Sequence, residues 1–151
     1  MGLDMYLEKE IYVGGNYEHR EVKGTLKYSV MGKEISIPTS KVFSIVLHAG
    51  YWRKANHIHK WFVDTCQDGN DNCQRSYISI EQLKKLQDLC KKVLANHNLA
   101  SELLPAQSGF FFGSTDYDEW YFSNIESTVK IIDDILSDTP EKYEFYYLSS
   151  W

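Results

Sequence analysis

The spacing of apolar residues changes character along this chain, and that change limits the folds open to it. Up to about residue 47 apolar side chains alternate or gather in short β-branched runs. From Trp52 onward they recur three and four residues apart. A period near two belongs to strands, a period near 3.6 to helices. Residues 4–13 alternate loosely, with Met5, Leu7, Ile11 and Val13 on one parity. Gly14-Gly15-Asn16 reads as a turn. Residues 21–30 and 33–37 read as a hairpin about Met31-Gly32, which Pro38 ends. Residues 41–47 are rich in β-branched side chains but too short to assign by period, and Gly50 reads as a break.

Residues 52–66 have helical spacing, with Ala55, Ile58 and Phe62 in one stripe and Trp52, His59 and Val63 on its shoulder. Ser79-Ile80-Glu81-Gln82 has the form of a capping box. The helix after it carries Leu83, Leu86, Cys90, Val93 and Leu94 on one face and should end at residues 96–98. Residues 105–113 hold Phe110, Phe111 and Phe112 between two glycines, as a buried strand or turn. Ser123 and Glu126 suit the start of a last helix, with Ile125, Val129, Ile132 and Leu136 inward and Pro140 beyond its end. Residues 143–148 close as a strand. This order predicts one α+β domain over residues 1–151, a mixed, mostly antiparallel sheet packed by about three helices.

Charge and composition remove several classes of function. The net charge is −5, whereas a general nucleic-acid binder is normally basic. Apolar runs fall far short of the ~20 residues of a membrane span. The opening Met1-Gly2-Leu3-Asp4-Met5-Tyr6 has no basic start, no signal-peptide core and no Ser or Thr at position 6 for myristoylation. We therefore expect a cytoplasmic protein with no membrane partner. Three cysteines is an odd number, and free thiols are expected. Aromatic residues make up 15% of the chain, which suits a Tyr-rich sheet, a stacking pocket or a homo-oligomer interface.

Two segments carry residues suited to chemistry. In residues 50–62, Arg53 and Lys54 fall in the first turn of the expected helix, where cations oppose the macrodipole by up to ~1 kcal/mol each. Free N–H groups and two cations make an anion site. Asn56 and His59, three apart and sharing a face with Trp52, would read a base or sugar beside it. The plainer reading is an amphipathic helix with solvated cations and a hydrogen-bonded core histidine. His57 and His59 point about 200° apart on a helix and cannot share a metal. No Cys-x-x-Cys pair or His-Glu-x-x-His is present, so no metal site is expected. Asp68, Asn70 and Asn72 start like a calcium loop, but Cys73 and Ser79 stand where Gly and Glu are needed.

The second segment is residues 109–121. Its flanking glycines permit close backbone approach to Phe112 and its neighbours. Asp116, Asp118 and Glu119 would accept from a ribose, bind a cation or act as acid and base, with Tyr117 beside them. They serve equally as helix caps, with Thr115 or Asp116 as N-cap. No GxSxG, phosphate loop or GxGxxG is present, so no catalytic residue and no cofactor is assigned.

Residues 1–7 (Met-Gly-Leu-Asp-Met-Tyr-Leu), Tyr51-Trp52-Arg53-Lys54-Ala55-Asn56 with Ile58-His59 and Trp61-Phe62-Val63, Asp71-Asn72-Cys73, Leu103-Leu104-Pro105, and Gly109-Phe110-Phe111-Phe112-Gly113 with Tyr117-Asp118-Glu119 resemble, in this order, a family of small phage and prophage-type proteins. Some of its members carry a phosphoglycerate kinase label. This chain is far too short for that two-domain enzyme and has no phosphate loop. The resemblance implies a phage-related setting and a single-domain extent, and supplies no catalytic residue.

Three functions are left for comparison. The first is a non-catalytic binder of a small anionic ligand, a nucleotide above all, acting in the phage setting as an anti-defence sponge. Its site would be Trp52, Arg53, Lys54, Asn56, His59, Phe112, Tyr117, Asp118 and Glu119, with Trp61 as a further stacking surface. The second is an enzyme on a nucleotide or phosphoester with His59 as acid/base and Asp118 or Glu119 as partner. The third is a protein-interaction module that blocks a host protein through exposed aromatic residues.

Overall fold

Strand β1 (Asp4–Tyr12) follows from the alternation around Met5 and Leu7, both fully buried, while Tyr6 and Glu8 on the other parity are partly exposed. The computed structural model describes residues 2–14 and 23–151. The start of the expected hairpin arm at residues 21 and 22, and Gly15-Asn16 of the expected turn, lie outside them. The hairpin itself is formed by β2 (Thr25–Val30) and β3 (Lys33–Pro38), paired antiparallel with Tyr28 opposite Ile35 and Val30 opposite Lys33. Met31 and Gly32 turn it with φ of 50° and 78°, the left-handed pair that a two-residue hairpin loop demands.

The remaining elements in chain order are β4 (Ser44–Arg53), α1 (Asn56–Cys66), β5 (Ser76–Ile78), α2 (Ile80–Ala95), α3 (Ala100–Leu103), α4 (Glu119–Ser137) and β6 (Glu144–Ser150). A four-stranded sheet has the order β4-β1-β6-β5, and β2-β3 forms a separate two-stranded sheet, both antiparallel. The fold is α+β. The chain divides into two compact units, Met1–Lys9 with His48–Trp151 and Glu10–Leu47. In the smaller unit Phe43 O accepts from the N–H groups of Val13 and Gly14. The larger unit contains the main core, in which Leu3, Met5 and Leu7 meet Ile58 and Phe62 of α1, Leu83 and Leu86 of α2, Ile125 and Ile132 of α4, and Phe145 and Tyr147 of β6. Among the described residues no helix is long and apolar enough to cross a membrane.

Several local expectations hold. Ser79 and Gln82 form the reciprocal capping box at α2, with Gln82 N donating to Ser79 Oγ at 3.1 Å and Ser79 N to Gln82 Oε1 at 2.8 Å. Asn96 caps the other end of that helix. Four expectations need correction. Gly50 does not break the chain but lies inside β4. Helical structure begins at Asn56 rather than Trp52, because β4 runs on through Trp52 and Arg53. The last helix begins at Glu119, capped by Asp118 rather than by Ser123, and the separate short helix expected to start at Thr115 or Asp116 is not formed. The Asp118 carboxylate accepts from Trp120 N at 3.0 Å and Tyr121 N at 3.1 Å, so Trp120, Tyr121 and Phe122 are helical. Residues 105–113 take the turn of the two alternatives, at Phe110–Phe111, and not the strand, and of their three phenylalanines only Phe112 is buried.

Gly50 is explained by what packs on it. A Cβ there would stand 2.7 Å from Ile131 Cγ2 of α4. The missing side chain brings strand and helix together, and Trp52 Nε1 then reaches Thr128 Oγ1 at 2.9 Å. Gly50→Ala should destabilise the protein by about 1–3 kcal/mol, since an added carbon forces a packed side chain to move. A lowered urea midpoint at unchanged m-value checks this.

Candidate functional site

The end of β4, the start of α1, residues 113–118 and the first two turns of α4 enclose a cavity of about 580 Å³. That is within the usual range for a small-molecule site, roughly 300–1,000 Å³. Arg53 and Lys54 stand at the α1 end. His57 and Tyr121 are in its buried wall, and Tyr51 and Trp120 are its exposed aromatics. Along α4 the polar stripe Ser123, Asn124 and Ser127 completes the lining. These positions recur at helical spacing on a helix whose opposite face, Ile125, Ile132 and Ile135, is buried.

The connection from β4 to α1 is conformationally unusual. Lys54 has φ of 55° and Gly113 φ of 92°. They touch, since a Cβ on Gly113 would lie 3.1 Å from Lys54 Cβ. Left-handed backbone at a non-glycine residue costs on the order of 1 kcal/mol and persists where surrounding contacts fix it. Here Leu3 O accepts from Lys54 N at 2.8 Å. Helix α1 has Ala55 as its N-cap residue and no side chain capping it, so its first N–H groups lack the partner that Asp118 gives α4. Arg53 is exposed, with Nε 3.9 Å from Asp4 Oδ1, and Asp4 also accepts from the Tyr51 hydroxyl. Among the described residues Lys54 is in no ion pair. The nearby carboxylates are engaged locally. Asp118 caps α4, while Asp116 accepts from Ser114 Oγ at 3.0 Å and its own N–H donates back to that oxygen. The lining thus combines two cations, Arg53 and Lys54, with two carboxylates, Asp116 and Asp118, that accept hydrogen bonds from neutral donors.

The nine residues singled out from the sequence divide in two. Trp52, Arg53, Lys54, Asn56 and Asp118 line the cavity. His59, Phe112, Tyr117 and Glu119 do not. Asn56 is spent on structure: its Nδ2 donates to Phe112 O at 3.2 Å and Ser114 O at 2.8 Å, and its Oδ1 accepts from Gln107 N at 2.9 Å. Trp52 is 2% exposed and packs on Phe62, so it is no stacking platform. His59 shares Asn56's face as expected, but that face is turned onto buried Phe112, whose ring meets the imidazole edge-on at 5.2 Å. Both its nitrogens are taken, Nδ1 by Tyr147 Oη at 2.6 Å and Nε2 by Asp71 Oδ2 at 2.8 Å. In the tautomer whose Nε2–H donates to Asp71, Nδ1 accepts from the Tyr147 hydroxyl. Trp151 Nε1 donates to the other Asp71 oxygen at 3.1 Å. Tyr117 and Glu119 line a more open depression with His97, Phe122 and Glu126. Trp61 packs edge-on against Phe62.

Sequence reasoning missed His57, Tyr51, Trp120, Tyr121 and the polar stripe of α4. The stripe is a readable signal once α4 starts at Glu119. His57 had none, because its role depends on Tyr121, whose ring lies 4.0 Å from it centroid to centroid. Burial pushes the His57 pKa down to about 3. No group of His, Cys, Asp and Glu capable of holding a metal is found among the described residues. Cys66, Cys73 and Cys90 are unpaired, and burial raises the Cys66 pKa to about 11 and that of Cys90 to about 12.

Two outcomes follow from these contacts. Asn56→Ala should cost about 2–4 kcal/mol, because it strips partners from Gln107 N, Phe112 O and Ser114 O together; chemical denaturation measures this. For His57, the folded state resists protonation until about pH 3, whereas the unfolded imidazole takes a proton near pH 6.5. Stability from this group is complete above about pH 6.5 and is lost as pH falls toward 3, with a ceiling of roughly 4–5 kcal/mol. Urea midpoints from pH 7 to pH 4 should fall less steeply in His57→Phe than in wild type. No family model, curated protein or solved structure matches this chain.

Proposed function

We propose that this protein binds a small anionic ligand, with a nucleotide as the best-fitting class, and does not transform it. The observation that carries the reading is the cavity at the start of α1, which no side chain caps, with Arg53 and Lys54 in its lining. Anions are favoured at such a helix end by the unsatisfied N–H groups and the dipole together. Serine hydroxyls and Asn124 on α4 supply partners for a sugar, and exposed Trp120 and Tyr51 supply faces for a ring. An acid/base role for His59 draws no support from this geometry, since both ring nitrogens are engaged and the residue is absent from the cavity wall. In the phage-related setting implied by the sequence resemblance, a cytoplasmic protein that holds a nucleotide unchanged would be a sponge against host defence signalling.

A second reading has an observation of its own. Phe110 is 75% and Trp120 79% exposed, and exposed aromatics mark protein interfaces. A protein-interaction module would use them and leave the cavity empty.

Native mass spectrometry after incubation with a nucleotide panel that includes cyclic dinucleotides and ADP-ribose derivatives separates these readings. A retained, chemically unchanged nucleotide is the expected result and also gives the stoichiometry; a consumed nucleotide would show an enzyme. Arg53→Glu should weaken that binding at least about tenfold, the effect of removing a charge-assisted contact. Its effect on stability should stay below about 1 kcal/mol, because Arg53 is exposed and its contact with Asp4 is long. Unchanged binding by the variant would refute the α1 anion site.

A further inference from the structure

The cavity contains one feature that anion binding at Arg53 and Lys54 leaves unexplained. His57 is 3% exposed and forms part of the cavity wall, yet its Nε2 has no hydrogen-bond partner. Its neighbours on α1 are used fully: Asn56 makes three hydrogen bonds and His59 engages both nitrogens. The other buried side-chain atoms without partners, Gln67 Oε1 and Ser149 Oγ, are not in the cavity lining. A buried, unpaired polar atom is costly, and a ligand seated against His57 would supply the missing partner. The imidazole is kept uncharged at neutral pH by its burial, so Nε2 offers, according to the tautomer, a neutral donor or a neutral lone pair. Such a group suits an uncharged polar atom, whereas a phosphate or carboxylate is served better by the cations at the α1 end. Tyr121 lies against the imidazole, and the exposed indole of Trp120 stands in the same wall. The exposed indole face in this lining matches a flat heterocycle.

We infer that His57 is the specificity-determining contact of the cavity, bonding an uncharged nitrogen or oxygen of a nucleobase while Arg53 and Lys54 take the phosphate. This rests on the binding function proposed above and narrows its ligand to a nucleoside phosphate, as against a sugar phosphate or a free anion. A site built to hydrogen-bond one ligand group discriminates strongly against analogues lacking it, because its own polar atom is then left unpaired.

Calorimetric titration of AMP, GMP, CMP, UMP, ribose 5-phosphate and inorganic phosphate into wild type, His57→Phe and His57→Gln tests this. At least one mononucleotide should bind wild type about tenfold or more tightly than ribose 5-phosphate. His57→Phe should lower that affinity about 10- to 100-fold, to the level of ribose 5-phosphate, whose own affinity stays unchanged. Its melting temperature should equal or exceed that of wild type, since the phenyl ring keeps the contact with Tyr121 and removes the unpaired nitrogen. A purely structural histidine would instead lower it. His57→Gln, which keeps a donor and an acceptor, should fall between the two, and it replaces His57→Phe as the test if that variant does not fold. Equal affinity for mononucleotide and ribose 5-phosphate overturns the inference, as does wild-type nucleotide binding by His57→Phe. Nucleotide binding that survives His57→Phe but is lost in Arg53→Glu overturns the inference alone. A wild-type protein that binds none of the probes removes the binding function and the inference with it.

Discussion

Three hydrogen bonds from one amide fix the geometry on which the candidate site depends. Asn56 holds Gln107, Phe112 and Ser114 by their backbone groups. Residues 105–113 have no helix or strand of their own to satisfy these groups. Because Asn56 is the first residue of α1, the loop is anchored to the helix start and not merely laid over it. Phe112 is thereby set into the core beside His59, and Gly113 is brought against Lys54. The cavity wall at residues 113–118 begins where this anchorage ends.

Helix α1 then separates two histidines by function. His57 and His59 leave the helix in divergent directions, as their spacing dictates. His59 enters a chain of hydrogen bonds with Tyr147, Asp71 and, through Asp71, Trp151. That network ties the last strand and the loop after α1 to the helix, and it leaves His59 no free nitrogen. His57 lies against Tyr121, whose hydroxyl in turn donates to Leu104 O at 2.7 Å. One imidazole is spent on cohesion, and the other keeps a nitrogen unpaired. Satisfied polar networks tend to fix a unique packing, while unpaired buried atoms tend to mark sites of function.

Much of the fold could be read from the sequence where the signal was local. The Met31-Gly32 turn, the Ser79/Gln82 box and the apolar face of α2 each depend on residues within a turn or two of one another. The misreadings arose where a distant partner decided the outcome. Gly50 looked like a break because its reason, Ile131, is 81 positions away. Ser123 and Glu126 made a plausible helix start, but the earlier Asp118 caps the helix and the aromatic residues after it continue the helical turn. For the site, the cations and Asn56 stood out because they broke or fitted local helix rules. Their roles did not, since exposure and partnership are properties of the folded chain. His59 looked available until Tyr147 and Asp71 were placed beside it, and His57 looked ordinary until Tyr121 was.

The hydrogen bond from Lys54 N to Leu3 O has a consequence for cooperativity. Leu3 is fully buried just ahead of β1, and its N–H donates to Phe111 O at 3.4 Å. One residue thus joins the first strand, the strained turn carrying the cation and the aromatic loop. Fraying at the beginning of β1 releases the left-handed backbone of Lys54 as well, so opening of that strand start and loss of the cationic turn are a single event. In amide exchange the Lys54 proton belongs to the same cooperative opening unit as the strand, not to the connection in which it is found. Under the proposed binding function, a ligand held by Lys54 would slow that opening, and the opening would limit how long the ligand stays.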